Sequence, residues 1–145
     1  MPLSAVVDAS VLVSACLFPD SVPGLIVKLG QQGRFRQHLS EILLDETRDA
    51  LLSVRLRKVY RHGEQAVLAW LAGVTRDSQV FRGQLPDIGH ACRDPDDDHV
   101  IALAVAVGAG IIVTGDKDLL ILVSFRDVRI IAARFFLTEL TSDPT

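Results

Sequence analysis

The sequence predicts a three-layer α/β/α sandwich around a parallel sheet of about five strands, and three observations lead there. Short apolar runs at residues 3–8, 111–114 and 128–131 alternate with longer segments of helical periodicity. The first run closes on an acid, as strands buried on both faces of a parallel sheet often do at their functional end. No repeat, low-complexity segment or linker interrupts the 145 residues, so the chain reads as one domain, 1–145. Parallel strands joined through helices require right-handed crossovers, which lay helices on both faces of the sheet.

The elements follow in order. After the first strand, residues 10–17 and 22–31 read as helices separated by the Phe18-Pro19-Asp20 break, and a second strand falls near 34–39. Ser40 is an N-cap for a helix running through about Val54, with Leu43, Leu44, Thr47, Leu51 and Val54 along one stripe. Residues 63–73 give another helix with Trp70 as a core anchor, and Val80-Phe81 a third strand. A polar loop with Pro86 and Gly89 leads to Asp94-Pro95, a helix start in which Asp caps and Pro takes the first position. The run Val100–Val107 is apolar enough for a helix buried on nearly every side, ending at Gly108-Ala109-Gly110. Ile111–Thr114 is the fourth strand, Lys117–Val123 a short helix, Val128–Ile131 the fifth strand, and 133–140 the last helix.

Composition narrows the function classes. Hydrophobic residues make up 49% of the chain, yet no apolar stretch reaches the roughly 18 residues that span a bilayer. The first residues lack the basic and apolar regions of a secretory signal, and two cysteines, Cys16 and Cys92, form no disulfide framework. A reducing cytoplasm fits, with Cys16 as a buried apolar residue. The net charge of −3 argues against nucleic-acid binding by bulk positive charge, but Arg55, Arg57, Lys58 and Arg61 form a local basic strip.

The densest chemistry is acidic. Asp94, Asp96, Asp97 and Asp98 stand at the mouth of an apolar helix, where gathered carboxylates repel and lose hydration unless a cation joins them. In an open parallel sheet ligands bind beyond the carboxyl ends of the strands. Asp8 closes the first strand there. Asp116 follows the fourth, after Gly115, which suits a tight turn, and Asp97 and Asp98 enter the helix before it. Glu46 lies at the margin of the buried stripe, whereas Asp45 and Asp49 project to solvent. Convergent oxygens suit one or two Mg²⁺ or Mn²⁺ ions, and such ions activate water against a phosphodiester. His90, Cys92 and His99 match no zinc-ligand spacing. A phosphatase of the haloacid dehalogenase type needs an acid two positions after Asp8, where Ser10 stands.

Four segments together resemble the PIN-domain nucleases. Val6-Val7-Asp8-Ala9-Ser10 is similar to that family's V-x-D-A-S opening, and Leu44-Asp45-Glu46 with Ala50-Leu51-Leu52 to its second motif. Cys92–Asp98 and Val113–Leu120 resemble the third and fourth, and Val128–Ile131 to Leu137 the closing strand and helix of its toxin–antitoxin branch. The resemblance implies a Mg²⁺- or Mn²⁺-dependent endoribonuclease, a VapC-like toxin held by a small cognate antitoxin and often a homodimer. It implies Asp8, Glu46 and Asp116 as site acids, with Ser10 and Thr114 as supporting hydroxyls. The third acid has two candidates. Asp98 with Ile101-Ala102 matches D-x-x-I-A and is favoured, and Asp97 fits D-P-x-D-D. On this reading Arg55, Arg57, Lys58 and Arg61 contact the RNA backbone. Ser10 replaces a frequent asparagine, and the family's arginine-proline after the second-motif helix is absent.

Overall fold

Alternation along each central strand builds the core. Ala5 and Val7 point to one face of the sheet and Val6 to the other; Ile111 and Val113 repeat the pattern against Ile112. All six are buried, so both faces of these strands must be covered.

The computed structural model describes residues 3–142. Its elements are β1 (Ser4–Val7), α1 (Ala9–Leu17), α2 (Val22–Gln31), β2 (Arg36–Ser40), α3 (Glu41–Leu51), α4 (Val54–Tyr60), α5 (Glu64–Asp77) and β3 (Gln79–Phe81). After a loop and one 3₁₀ turn (Pro95–Asp97) come α6 (Asp98–Val107), β4 (Ile111–Val113), α7 (Lys117–Leu120), β5 (Ser124–Phe125), β6 (Val128–Ile131) and α8 (Ala133–Thr141). The strands lie in the order β3-β2-β1-β4-β6-β5, all parallel except β5, which pairs antiparallel with β6. The architecture is a three-layer α/β/α sandwich. One face packs Leu12, Ile26, Phe35 and Phe136 against the sheet, and the other packs Ile101, Leu103 and Leu119.

Local chemistry sets several boundaries. Ser21 and Ser40 cap α2 and α3 by accepting from the Gly24 and Leu43 amides. A Cβ at Gly24 would lie 2.2 Å from the Pro19 carbonyl oxygen, so only glycine lets α2 close against the preceding turn. Gly108, at φ +71°, ends α6 in the left-handed conformation.

The structure differs from the sequence-based expectation in a few places. The helix expected from Ser40 to Val54 breaks after Leu51: Ser53 caps a separate α4 by accepting from the Leu56 amide, and His62 binds the Leu51 carbonyl. Leu43, Thr47 and Leu51 do form the buried stripe, but Val54 is 71% exposed, because a new cap turned the chain away. The helix expected to reach Val123 ends at Leu120, and a sixth strand, β5, follows it. Val123 and Arg126 take positive φ (63° and 51°), reversing the chain around this two-residue strand. Trp70 and Cys16 are half-buried at cluster margins, and α6 is buried only to Ala104, with Ala106 exposed. Among the described residues no single helix is long and apolar enough to cross a membrane.

The break between α3 and α4 makes a prediction about two residues of one expected stripe. Leu51→Ala should lower stability by about 2–5 kcal/mol through cavity formation. Val54→Ala should change it by about 0.5 kcal/mol or less. Urea denaturation of the two variants reads the difference.

Candidate metal centre

From β1 the chain builds outward through β2 and β3 on one side and then returns to place β4 on the other side of β1, so the gap beyond β1 and β4 is the topological switch point. Asp8 and Thr114 follow directly on the paired residues Val7 and Val113, which brings them side by side there. The Asp8 amide donates to the Val113 carbonyl at 3.0 Å, extending the ladder by one step.

A chain of hydrogen bonds then fixes the carboxylates. Asp8 Oδ2 accepts from Thr114 Oγ1 at 2.7 Å and from Ser10 Oγ at 3.0 Å. Ser10 Oγ in turn accepts from the Gly115 amide, and Thr114 Oγ1 from the Asp116 amide, each at 3.0 Å. Ser10 and Thr114 thus brace Asp8 against the turn that carries Asp116. Asp116 caps α7 by accepting from the Asp118 amide at 2.9 Å. Gly115 takes no left-handed conformation, so its turn does not depend on glycine.

Three successive residues where the 3₁₀ turn passes into α6 go three ways, since each step turns the chain about the axis. Asp97 turns toward Asp116, and carboxylate oxygens of Asp97, Asp116 and Asp118 all lie within 4.8 Å of one another. Asp98 turns back to the loop: its Oδ1 accepts from the Cys92 amide at 2.7 Å and the Ala91 amide at 3.3 Å, and its Oδ2 lies 3.4 Å from His90 Nδ1. His99 turns to α3, where its Nε2 lies 3.1 Å from Glu46 Oε1. Asp94 caps the 3₁₀ turn through the Asp96 amide. Asp45 and Asp49 face solvent beside Arg48.

The electrostatics separate the two adjacent aspartates. Burial pushes the Asp97 carboxyl up to about 7, helped by the charge of Asp116, a hydrogen bond shared with it, and the charges of Asp94 and Asp8. Burial raises Asp98 too, but hydrogen bonds from the Cys92 thiol and amide, the Ala91 amide and His90 outweigh it and hold that carboxyl below its usual range. Burial, then the hydrogen bond and charge of Asp98, push the Cys92 thiol up to about 12. Among the described residues no Lys, Arg or His nitrogen lies within 4.0 Å of Asp8, Asp97, Asp116 or Asp118.

Asp8, Asp97 and Asp116 therefore converge, with Ser10 and Thr114 beneath them. Asp98 is engaged by the 90–92 loop, and Glu46 stands apart on α3 with its side chain 44% exposed. Asp118 is a member of the group that the sequence reading missed, although its i, i+2 spacing from a capping Asp116 was there to be read. The donor set is all carboxylate oxygen, crowded and without a neutralising side chain, and it fits a hard divalent cation.

The crowding has a pH signature. The folded protein keeps a proton on Asp97 up to about pH 7, whereas an unfolded carboxyl near 3.8 has lost it. This site's contribution to stability is thus full below about pH 4 and falls as pH rises toward 7. In EDTA, wild type should lose stability relative to Asp97→Asn across that range. Thermal melts at about pH 8 should show the variant unfolding at the higher temperature, and a difference flat with pH would contradict the crowding.

Comparison with known proteins matches this geometry to a family. A model of the PIN domain matches residues 4–118, from the start of β1 to Asp118. The uncharacterized protein MJ1680 of Methanocaldococcus jannaschii is 34% identical over 126 residues, covering 86% of this chain and 76% of its own length. The crystal structure of PAE2754 from Pyrobaculum aerophilum superposes with a TM-score of 0.58 at 18% identity, covering 97% of this chain and 91% of that one. The last comparison speaks to the fold; with the first two, the chain belongs to the PIN-domain family.

Proposed function

We propose that the chain is a Mg²⁺- or Mn²⁺-dependent endoribonuclease that hydrolyses phosphodiester bonds of single-stranded or looped RNA. The observation that carries the reading is the placement of Asp97 among Asp8, Asp116 and Asp118, with its carboxyl pushed up to about 7 for want of a positive partner. Asp97, Asp116 and Asp118 would hold the ion, and Asp8 would face it from the end of β1. In this reading Asp97 rather than Asp98 is the third acid, because Asp98 is occupied in tying the 90–92 loop to α6.

A bound divalent ion would supply an activated water, an in-line geometry and neutralisation of phosphodiester charge. The chain's own residues do the rest. Ser10 and Thr114 fix the Asp8 carboxylate at the end of β1, and Glu46, on α3 beside His99, would orient water or hold a second ion. Arg55, Arg57, Lys58 and Arg61 are exposed on and just after α4, and none makes an ion pair among the described residues, which leaves them free for phosphates. The resemblance of the segment from Val128–Ile131 to Leu137 to the toxin–antitoxin branch of the family supports a toxin role with a cognate antitoxin, a homodimeric state and action in the cytoplasm.

Labelled RNA incubated with Mn²⁺, Mg²⁺ or EDTA tests the reading. Cleavage should require the ion and fall about 100-fold or more in Asp8→Asn and Asp97→Asn, while Asp98→Asn should lose stability before activity. A folded, Mn²⁺-binding wild type that cuts no RNA would point instead to an RNA- or partner-binding scaffold. Neutralising the four α4 cations should weaken RNA binding and flatten its salt dependence without affecting Mn²⁺ binding. Unchanged binding across salt would remove α4 from the interface.

A further inference from the structure

The imidazole of His99 has no role in the site as described so far, yet its placement is unusual. Its side chain is 13% exposed, and both Nδ1 and Nε2 are shielded from solvent without a hydrogen bond. A buried imidazole normally finds a partner for its N–H, since an unpaired donor away from water is unfavourable. One acceptor is at hand: Glu46 Oε1, 3.1 Å from Nε2 but out of line for a hydrogen bond. A small rotation of either side chain would align the pair.

Glu46 has the complementary need. It has no lysine or arginine within 4.0 Å among the described residues, and its side chain is 44% exposed on α3. Left alone, a glutamate so exposed would sample several rotamers and serve a fixed centre poorly. His99 follows Asp97 by two residues, so the turn that delivers Asp97 to the acid group also delivers the group that reaches Glu46.

We propose that His99 is a positioning residue for the metal centre: its Nε2–H holds the Glu46 carboxylate at the entrance of α6, where Glu46 adds to ion binding. This inference rests on the metal-centre reading above. His99 itself touches neither ion nor substrate; it acts through Glu46. Carboxylate–imidazole partners of this kind typically change metal affinity by about 10–100-fold.

The test is a double-mutant cycle read in Mn²⁺ affinity by calorimetry, which needs no turnover, alongside the Mn²⁺ concentration giving half-maximal RNA cleavage. His99→Leu should weaken Mn²⁺ binding about 10-fold, and His99→Gln, whose amide can occupy the place of Nε2, should restore most of it. His99→Asn, whose amide mimics Nδ1 instead, should not. In a Glu46→Gln background His99→Leu should have no further effect, because the partner through which it acts is gone. An equal loss in both backgrounds, or a loss that tracks thermal stability, would assign His99 a packing role and overturn the proposal. If His99→Leu does not fold, the contrast between Gln and Asn at position 99 decides, and equal Mn²⁺ affinity in those two overturns it. A wild type that neither binds Mn²⁺ nor cuts RNA overturns the metal-centre reading and this inference with it. A wild type that does both, with unaltered affinity in every His99 variant, overturns this inference alone.

Discussion

Repulsion among carboxylates at the shared end of β1 and β4 is the constraint around which the rest of this fold is arranged. Asp8 is only 7% exposed, Asp116 and Asp118 lie just beyond β4, and Asp97 is turned in from the start of α6. With nothing positive among them, Asp97 keeps its proton up to about pH 7. A chain shaped for stability alone would scatter such acids over its surface. This one spends hydrogen bonds from Ser10, Thr114, Gly115 and Asp116 to hold them together.

The bracing works because the sheet supplies a rigid base. β1 and β4 are paired in register, and their buried side chains lock Val7 and Val113 side by side, so Asp8 and Thr114 need little further positioning. The third wall comes from α6, whose N-terminal turn divides its labour. Asp97 serves the acid group, Asp98 fastens the preceding loop through two backbone amides, and His99 faces α3. The passage from the 3₁₀ turn into α6 turns each successive residue about the axis and gives three neighbouring side chains three separate tasks. It also explains why the loop before α6 needs an acceptor such as Asp98: the Ala91 and Cys92 amides are otherwise unpaired beside a buried thiol.

Much of this was legible in the sequence. The apolar runs closing on Asp8 and leading to Asp116 gave the strand ends, and the acid cluster before Val100 marked the entrance of α6. What resisted reading were features set by direction rather than spacing. Asp97 and Asp98 are adjacent and chemically identical, and their separate fates depend on where the helix axis lies relative to the sheet. The 3₁₀ turn over Pro95–Asp97 rotates that start in a way no periodicity reveals. The split of α3 from α4 turned on Ser53 acting as a cap within an otherwise helical pattern, and β5, at two residues, is too short to carry an alternating signal. Asp118 is inconspicuous in the sequence because a residue inside the first turn of a helix reads as an ordinary dipole partner. In sequence His99 suggests at most a zinc ligand, and its orphaned nitrogens are visible only in three dimensions.

Crystals soaked in Mn²⁺ and measured near the manganese absorption edge give the most direct test of the central claim. An anomalous peak is expected among the carboxylates of Asp97, Asp116 and Asp118, facing Asp8 across the end of β1 and β4. A peak seated instead on Asp98 and His90, or none at saturating Mn²⁺, would contradict it.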